Sequence, residues 1–133
     1  HSERIRDRIG AVAAQCGIES VMDKPIRKLS RGYRQRTGMA QVLLHEPEVL
    51  IMDEPTSGLD PNQIREVRRT IRDLAGAKTV LLSTHILQEV EAMADHVIFI
   101  HEGRIVFDGP AAEMKSQAAS LEEFFHRKTG AAP

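Results

Sequence analysis

Asp53 and Glu54 stand side by side at the end of a short, wholly apolar run, Val49-Leu50-Ile51-Met52, with Pro55 directly after them. Four such residues between Pro47 and Asp53 suit a strand buried on both faces, as in a parallel sheet. A strand of that kind delivers two neighbouring carboxylates to its C-terminal end, and open α/β sheets bind ligands outside those ends. Paired acids at such a place suit a magnesium nucleotide: one carboxylate acts near the metal, the other orients or deprotonates a water. Standing alone, the same pair serves equally well as acids that cap a strand and solvate a loop.

Three further segments surround the pair. Ser57-Gly58-Leu59-Asp60 follows at once, Leu29-Ser30-Arg31-Gly32-Tyr33 precedes it by about one helix, and Thr84-His85 comes after the next apolar run. Ser30 is a good N-cap, and Gly32 leaves the backbone uncovered where a helix starts. Unpaired N–H groups and the positive end of the helix dipole favour a phosphate there. Taken locally, Ser30 is also a plain N-cap with no ligand.

The elements that must hold these segments follow from the spacing of apolar residues. Ile5, Ile9, Val12, Ala13 and Cys16 recur at helical spacing and stop at Gly17. Ile18 to Lys28, with Pro25, is a connector. A helix is expected from near Ser30 to about His45, ended by Pro47. Asp60-Pro61-Asn62-Gln63 marks another helix start, with Asp60 as N-cap, Pro61 at the first helical position and Gln63 reaching back. Ile64, Val67, Ile71 and Leu74 form its apolar face, closed by Gly76. Thr79 to Ser83 is a second buried strand, and Leu87, Val90, Met93 and Ala94 give a further amphipathic helix. Val97–Ile100 and Arg104–Phe107 flank Glu102-Gly103, a hairpin signal. Two short helical stretches after Gly109-Pro110 lead to a Gly/Ala/Pro end. Strands alternating with helices mean an α/β layered fold.

The ordered set of motifs closely resembles the second half of an ABC nucleotide-binding domain, over essentially Lys28 to Gly109 and loosely on both flanks. The resemblance implies an α/β fold that is a partial P-loop NTPase (RecA-like) domain lacking its Walker A half. Residues 1–28 would be a remnant of the helical subdomain and connector, 29–109 the signature helix with the Walker B, D-loop and switch part of the core, and 110–133 a short helical tail. By resemblance, Asp53 is the Walker B aspartate that holds Mg2+, often through water, and Glu54 is the catalytic glutamate that polarises the attacking water. His85 matches the switch histidine at the γ-phosphate of ATP. Ser57, Gly58, Leu59 and Asp60 match the D-loop at the interface of two such domains. Leu29, Ser30, Arg31, Gly32 and Tyr33 match the signature segment, which closes over nucleotide bound by the opposite subunit. The segment departs from the common Leu-Ser-Gly-Gly-Gln form at Arg31 and Tyr33. With Arg34-Gln35-Arg36, Asp60–Gln63 and Leu121-Glu122-Glu123-Phe124-Phe125, it resembles the branch of ABC-2-type exporters and gliding-motility-type ATPases.

The resemblance implies an ATP-hydrolysing subunit that pairs with a second ATP-binding subunit, as homodimer or heterodimer, and drives export through transmembrane permease partners. Its expected place is cytoplasmic, peripheral at the inner face of the cell membrane. The 133 residues contain no Gly-x-x-x-x-Gly-Lys-Ser/Thr loop to cradle phosphates. The chain on its own is therefore expected neither to hydrolyse ATP nor to bind it tightly, and to self-associate through an unpaired strand edge. A start on His1-Ser2, in mid-helical pattern, reads as a piece of a longer protein. Two rivals are a non-transport ABC ATPase acting on DNA ends or ribosomes, and a regulatory module that has lost catalysis. The first usually carries long heptads near the signature or two cassettes in one chain; intact Asp53, Glu54 and His85 disfavour the second.

Composition agrees with a modest single core. A net charge of -1 lacks the basic excess of a nucleic-acid binder, so no nucleic-acid partner is expected. One cysteine, Cys16, excludes an internal disulfide and suits a reducing setting. No apolar run approaches the roughly 18 to 20 residues of a membrane span, and the charged first dozen residues do not read as a leader. His45, His96 and His101 lack metal-ligand spacing and read as surface residues. Met39, Met52 and Met93 read as packing residues and Cys16 as a buried small hydrophobe. Arg34 and Arg36 are expected on the solvated side of their helix, with an interface role as the alternative.

Overall fold

The computed structural model describes residues 2–130, Ser2 by its backbone alone. The His1 start and the Ala131-Ala132-Pro133 end lie outside them. Contacts divide the chain into two compact units, the first ending at Ser83 and the second beginning at Thr84.

Helix α1 (Ser2–Cys16) buries Val12, Ala13 and Cys16, whereas Ile5 and Ile9, expected on the same apolar face, stay exposed. It ends as its glycine predicts. Gly17, at φ +63°, donates its N–H to the Ala14 carbonyl at 3.1 Å, and Ile18 donates to Ala13 at 3.0 Å. This crossed pair satisfies two carbonyls that the helix end would leave open. Two 3-10 turns, Glu19–Val21 and Ile26–Lys28, make up most of the connector.

Helix α2 (Arg31–Leu43) is capped by Ser30 and buries Gly32, Arg36, Met39, Ala40 and Leu43 along one stripe. Arg36 corrects the expectation that it solvates the helix: it is buried in that stripe. Its Nη1 donates to the Gly17 carbonyl at 3.0 Å, and its guanidinium carbon lies 4.4 Å from the centre of the Tyr33 ring. A carbonyl at the end of α1 and an aromatic face one turn away make burial of that cation tolerable.

Strand β1 (Val49–Asp53) leads through α3 (Pro61–Ala75) to β2 (Thr79–Ser83). The two strands pair in parallel, from Val49 opposite Thr79 to Asp53 opposite Ser83. Burial on both faces, expected from the apolar runs, is not what the structure has. Leu50 is buried with Leu43 and Leu74, while Ile51 is 76% exposed and Leu81 54% exposed. Side chains alternate across a strand, and helices from the described residues cover only one face of this two-stranded sheet. Val67, Thr70, Ile71 and Leu74 of α3 face the core.

The second unit holds α4 (Leu87–Met93), β3 (His96–His101), β4 (Arg104–Pro110), α5 (Ala111–Gln117) and α6 (Leu121–Thr129). The antiparallel pair β3–β4 turns at Glu102 (φ +49°) and Gly103 (φ +73°). Positive φ at both central residues matches the twist of the flanking strands. Under the hairpin pack Val97, Phe99, Phe107, Met114, Leu121 and Phe124. The Phe107 and Phe124 rings meet edge to face at 5.0 Å. His96, an expected surface residue, is exposed and lies 2.6 Å from the Asp108 carboxylate. No helix among the described residues is long and apolar enough to cross a membrane.

Cys16 is fully buried, and burial pushes its thiol up to about 11, the nearby Arg36 charge acting in the opposite sense. A thiol whose folded pKa lies above its unfolded value contributes stability below the unfolded pKa of 9.0 and loses it as pH rises from there to about 11. The native chain is expected to react with a thiol reagent at pH 8 at least ten times more slowly than the urea-unfolded chain (order of magnitude). Equal rates would contradict this burial.

Candidate functional site

The candidate site grows from the C-terminal ends of β1 and β2. Asp53 and Ser83 are opposite each other in the parallel register, and the Ser83 hydroxyl donates to the Asp53 carboxylate. The Glu54 N–H donates to the Ser83 carbonyl at 3.0 Å and lies 3.2 Å from its Oγ. One serine thus fixes the orientation of the first acid and the backbone of the second. By sequence Ser83 reads only as a strand end; the signal for it is that two apolar runs each close on a polar residue.

At Glu54 the backbone enters the left-handed region, φ +47°. Outside glycine that conformation costs about 1–2 kcal/mol, and such strain concentrates at functional positions. It turns the chain sharply off the strand. Pro55 and Thr56 are buried beneath the turn, Ser57 N–H returns to the Glu54 carbonyl at 3.1 Å, and Leu59 N–H to Thr56 at 3.3 Å. Gly58 has φ +71°. Asp60 then caps α3 as its sequence predicts: Gln63 N–H donates to its Oδ1 at 2.8 Å, and Asp60 N–H donates to the Gln63 Oε1 at 3.1 Å. Strand end, turn and capped helix form one continuous hydrogen-bonded path.

The segment Leu29–Tyr33 belongs to the same unit. Leu29 is buried, and the exposed Ser30 accepts the Tyr33 N–H on its Oγ at 3.3 Å. The hydroxyl of Tyr33 lies 3.4 Å from that of Ser20, and this contact, followed by the Arg36 charge, lowers the phenol's pKa from its ordinary value. The turn at Arg31-Gly32 lies against Gly58 and Gln63, so the signature match and the D-loop match touch within one unit. A cleft of about 250 Å³ between α2 and β1 is lined by Gly38, Met39, Val42, Leu50 and Met52 and reaches Asp53. His85 belongs to the second unit and is exposed; beside it the Thr84 Oγ accepts the Ile86 N–H at 3.0 Å.

Among the described residues no group of three or more His, Cys, Asp or Glu side chains is placed to hold a metal ion. The donors at the strand ends are nonetheless those Mg2+ takes in nucleotide sites, where one or two carboxylates and the substrate's phosphates suffice and water fills the rest. The oriented Asp53 carboxylate fits that role.

A strained Asp-Glu turn thus lies beyond parallel strands, with a glycine-bearing helix start in the same unit. The family described as ABC transporter matches residues 2–57. The chain is 42% identical over 121 residues to the bacitracin transport ATP-binding protein BcrA of Bacillus licheniformis, covering 90% of this chain and 40% of BcrA. It is 37% identical over 123 residues to the nickel import ATP-binding protein NikO of Rhodobacter capsulatus, covering 90% of this chain and 48% of NikO. Its fold matches the solved structure of cbiO1 from Clostridium perfringens, part of the ABC transporter complex cbiONQ, with a TM-score of 0.82 and 33% identity over 96% of this chain and 50% of that one. Over 90% or more of its length the chain is similar to ABC transporter ATP-binding proteins, matching a part of their nucleotide-binding domain. It spans less than half the length of these two curated relatives.

Proposed function

We propose that the protein carrying this chain is the ATP-binding and ATP-hydrolysing subunit of an ABC transporter. The carrying observation is the strained turn at Glu54: it follows Asp53 directly and is held by the same Ser83 that orients the Asp53 carboxylate. In this reading Asp53 holds Mg2+, whose chemistry is to neutralise charge on the transferring phosphate. Glu54 accepts a hydrogen bond from the attacking water and takes its proton as the bond to phosphorus forms. His85 contacts the γ-phosphate. Ser57–Asp60 and Leu29–Tyr33 lie at the interface with a second ATP-binding subunit, the Ser30-capped helix start presenting N–H groups to that subunit's nucleotide.

Residues 29–109 are the working part, residues 1–28 the remnant of a helical subdomain and 110–133 a helical tail. Conformational change is passed to transmembrane permease partners, with the subunit on the cytoplasmic face of the membrane. The Arg31-Gly32-Tyr33 variant supports export. The 133-residue chain alone self-associates in this reading, because Ile51 and Leu81 leave an apolar sheet face open. Sedimentation of a clean monomer at high concentration would count against that.

Calorimetry tests the division of labour. The full-length protein is expected to bind MgATP at micromolar concentration, and the 133-residue chain is expected to bind at least a hundredfold more weakly (order of magnitude), having no phosphate cradle. Micromolar binding by the short chain overturns the division; no binding by the full-length protein overturns the function.

A further inference from the structure

The signature turn departs from the family's common form at Arg31, and that side chain has a definite seat. The guanidinium lies over the bare Cα of Gly58: a Cβ there would come 2.7 Å from Arg31 Nη1 and 2.9 Å from its Cζ. One residue on, the bare Cα of Gly32 faces Gln63, where a Cβ would come 2.8 Å from the Gln63 Cγ. That same Gln63 closes the capping box on Asp60. Two contacts therefore cross from the start of α2 to the loop and cap that open α3, and each needs a glycine.

The seat is not explained by the helix. A cation in the first turn opposes the helix dipole. Arg31 has no ion-pair partner among the described residues and is exposed. Its planar group instead covers the loop residue with φ +71°. A flat, delocalised cation suits this packing on exposed backbone better than a lysine would.

We propose that Arg31 is a positioning residue that couples the signature turn to the D-loop of the same subunit, holding Gly58 in its left-handed conformation. The inference rests on the ATPase reading. When the signature turn seats on the opposite subunit's nucleotide, Arg31 carries the 57–60 loop with it. The two segments then reach the interface as one piece.

The test is steady-state ATP hydrolysis by the full-length protein and its Arg31→Ala, Gly58→Ala and double variants, with thermal melts alongside. Gly58→Ala displaces the guanidinium and also strains the loop at φ +71°, so it breaks the contact that Arg31→Ala breaks and adds a backbone cost of its own. Each is expected to lower kcat about tenfold at little-changed KM, and the double variant is expected to be no slower than the worse single. Arg31→Ala, at an exposed position, is expected to melt within a few degrees of the parent, roughly, as surface changes do. Single effects that multiply to about a hundredfold in the double, or an Arg31→Ala variant as fast as wild type, overturn the coupling while leaving the ATPase reading intact. A full-length wild type without hydrolysis overturns both.

Discussion

Replacing Arg36 with alanine is expected to lower stability by about 2–4 kcal/mol. The change removes a buried stem, the donor to the Gly17 carbonyl at 3.0 Å and the cation over the Tyr33 ring. Gly17 is where α1 ends, so its carbonyl would be left without that partner at a helix terminus that already has few. The Glu66 carboxylate, 3.9 Å away and half exposed, contributes little, as pairs of that exposure do. The Arg36 Nε–H is buried and has no partner among the described residues, so the charge itself is imperfectly compensated. Arg36→Met, which restores the stem without the charge, is therefore expected to cost less, under about 1.5 kcal/mol. Thermal melts separate the two: Arg36→Ala should lower the midpoint by on the order of 10–20 °C and Arg36→Met by a few degrees (roughly). Equal losses in both variants would assign the stabilisation to the charge and contradict this account of the packing.

Glu54→Gln in the full-length protein is expected to lower kcat for ATP by at least about a hundredfold, the range for loss of a positioned general base. An amide keeps the size of the side chain and one acceptor oxygen but cannot take the water's proton. The backbone anchor through Ser83 uses main-chain atoms of Glu54 and survives the substitution. MgATP affinity should accordingly stay within a few-fold of wild type, roughly, because the lost interaction is made in the transition state and not in the bound complex. Hydrolysis assays and calorimetry on one protein batch give both numbers. A matching fall in affinity would place Glu54 in nucleotide binding instead.

Much of this molecule can be read in the letters because the relevant physics is local. Gly17 ends α1 through a left-handed residue, Asp60 and Gln63 close a reciprocal cap around Pro61, and Glu102-Gly103 supplies both positive φ angles of a two-residue turn. Each depends on residues within a few positions of one another. What stayed hidden depends on distant partners. By sequence Arg36 reads as solvated or at an interface because helical periodicity classes arginine as polar, and its carbonyl and aromatic partners are set by how three segments fold together. The apolar runs at Val49–Met52 and Thr79–Ser83 identified two strands but not how many faces are covered, since the same run fits one covered face or two. Ser83 could not be paired with Asp53 before the parallel register was known. The strain at Glu54 is a backbone angle, and no side-chain pattern encodes it.

In the proposed function Asp53 and Glu54, held by Ser83, do the chemistry of an ABC-type ATPase. Steady-state ATP hydrolysis by the full-length protein, measured beside its Glu54→Gln variant with and without Mg2+, tests it most directly. Mg2+-dependent turnover is expected in the wild type, falling by roughly two orders of magnitude or more in the variant. A wild type without turnover, or a variant as fast as its parent, would contradict it.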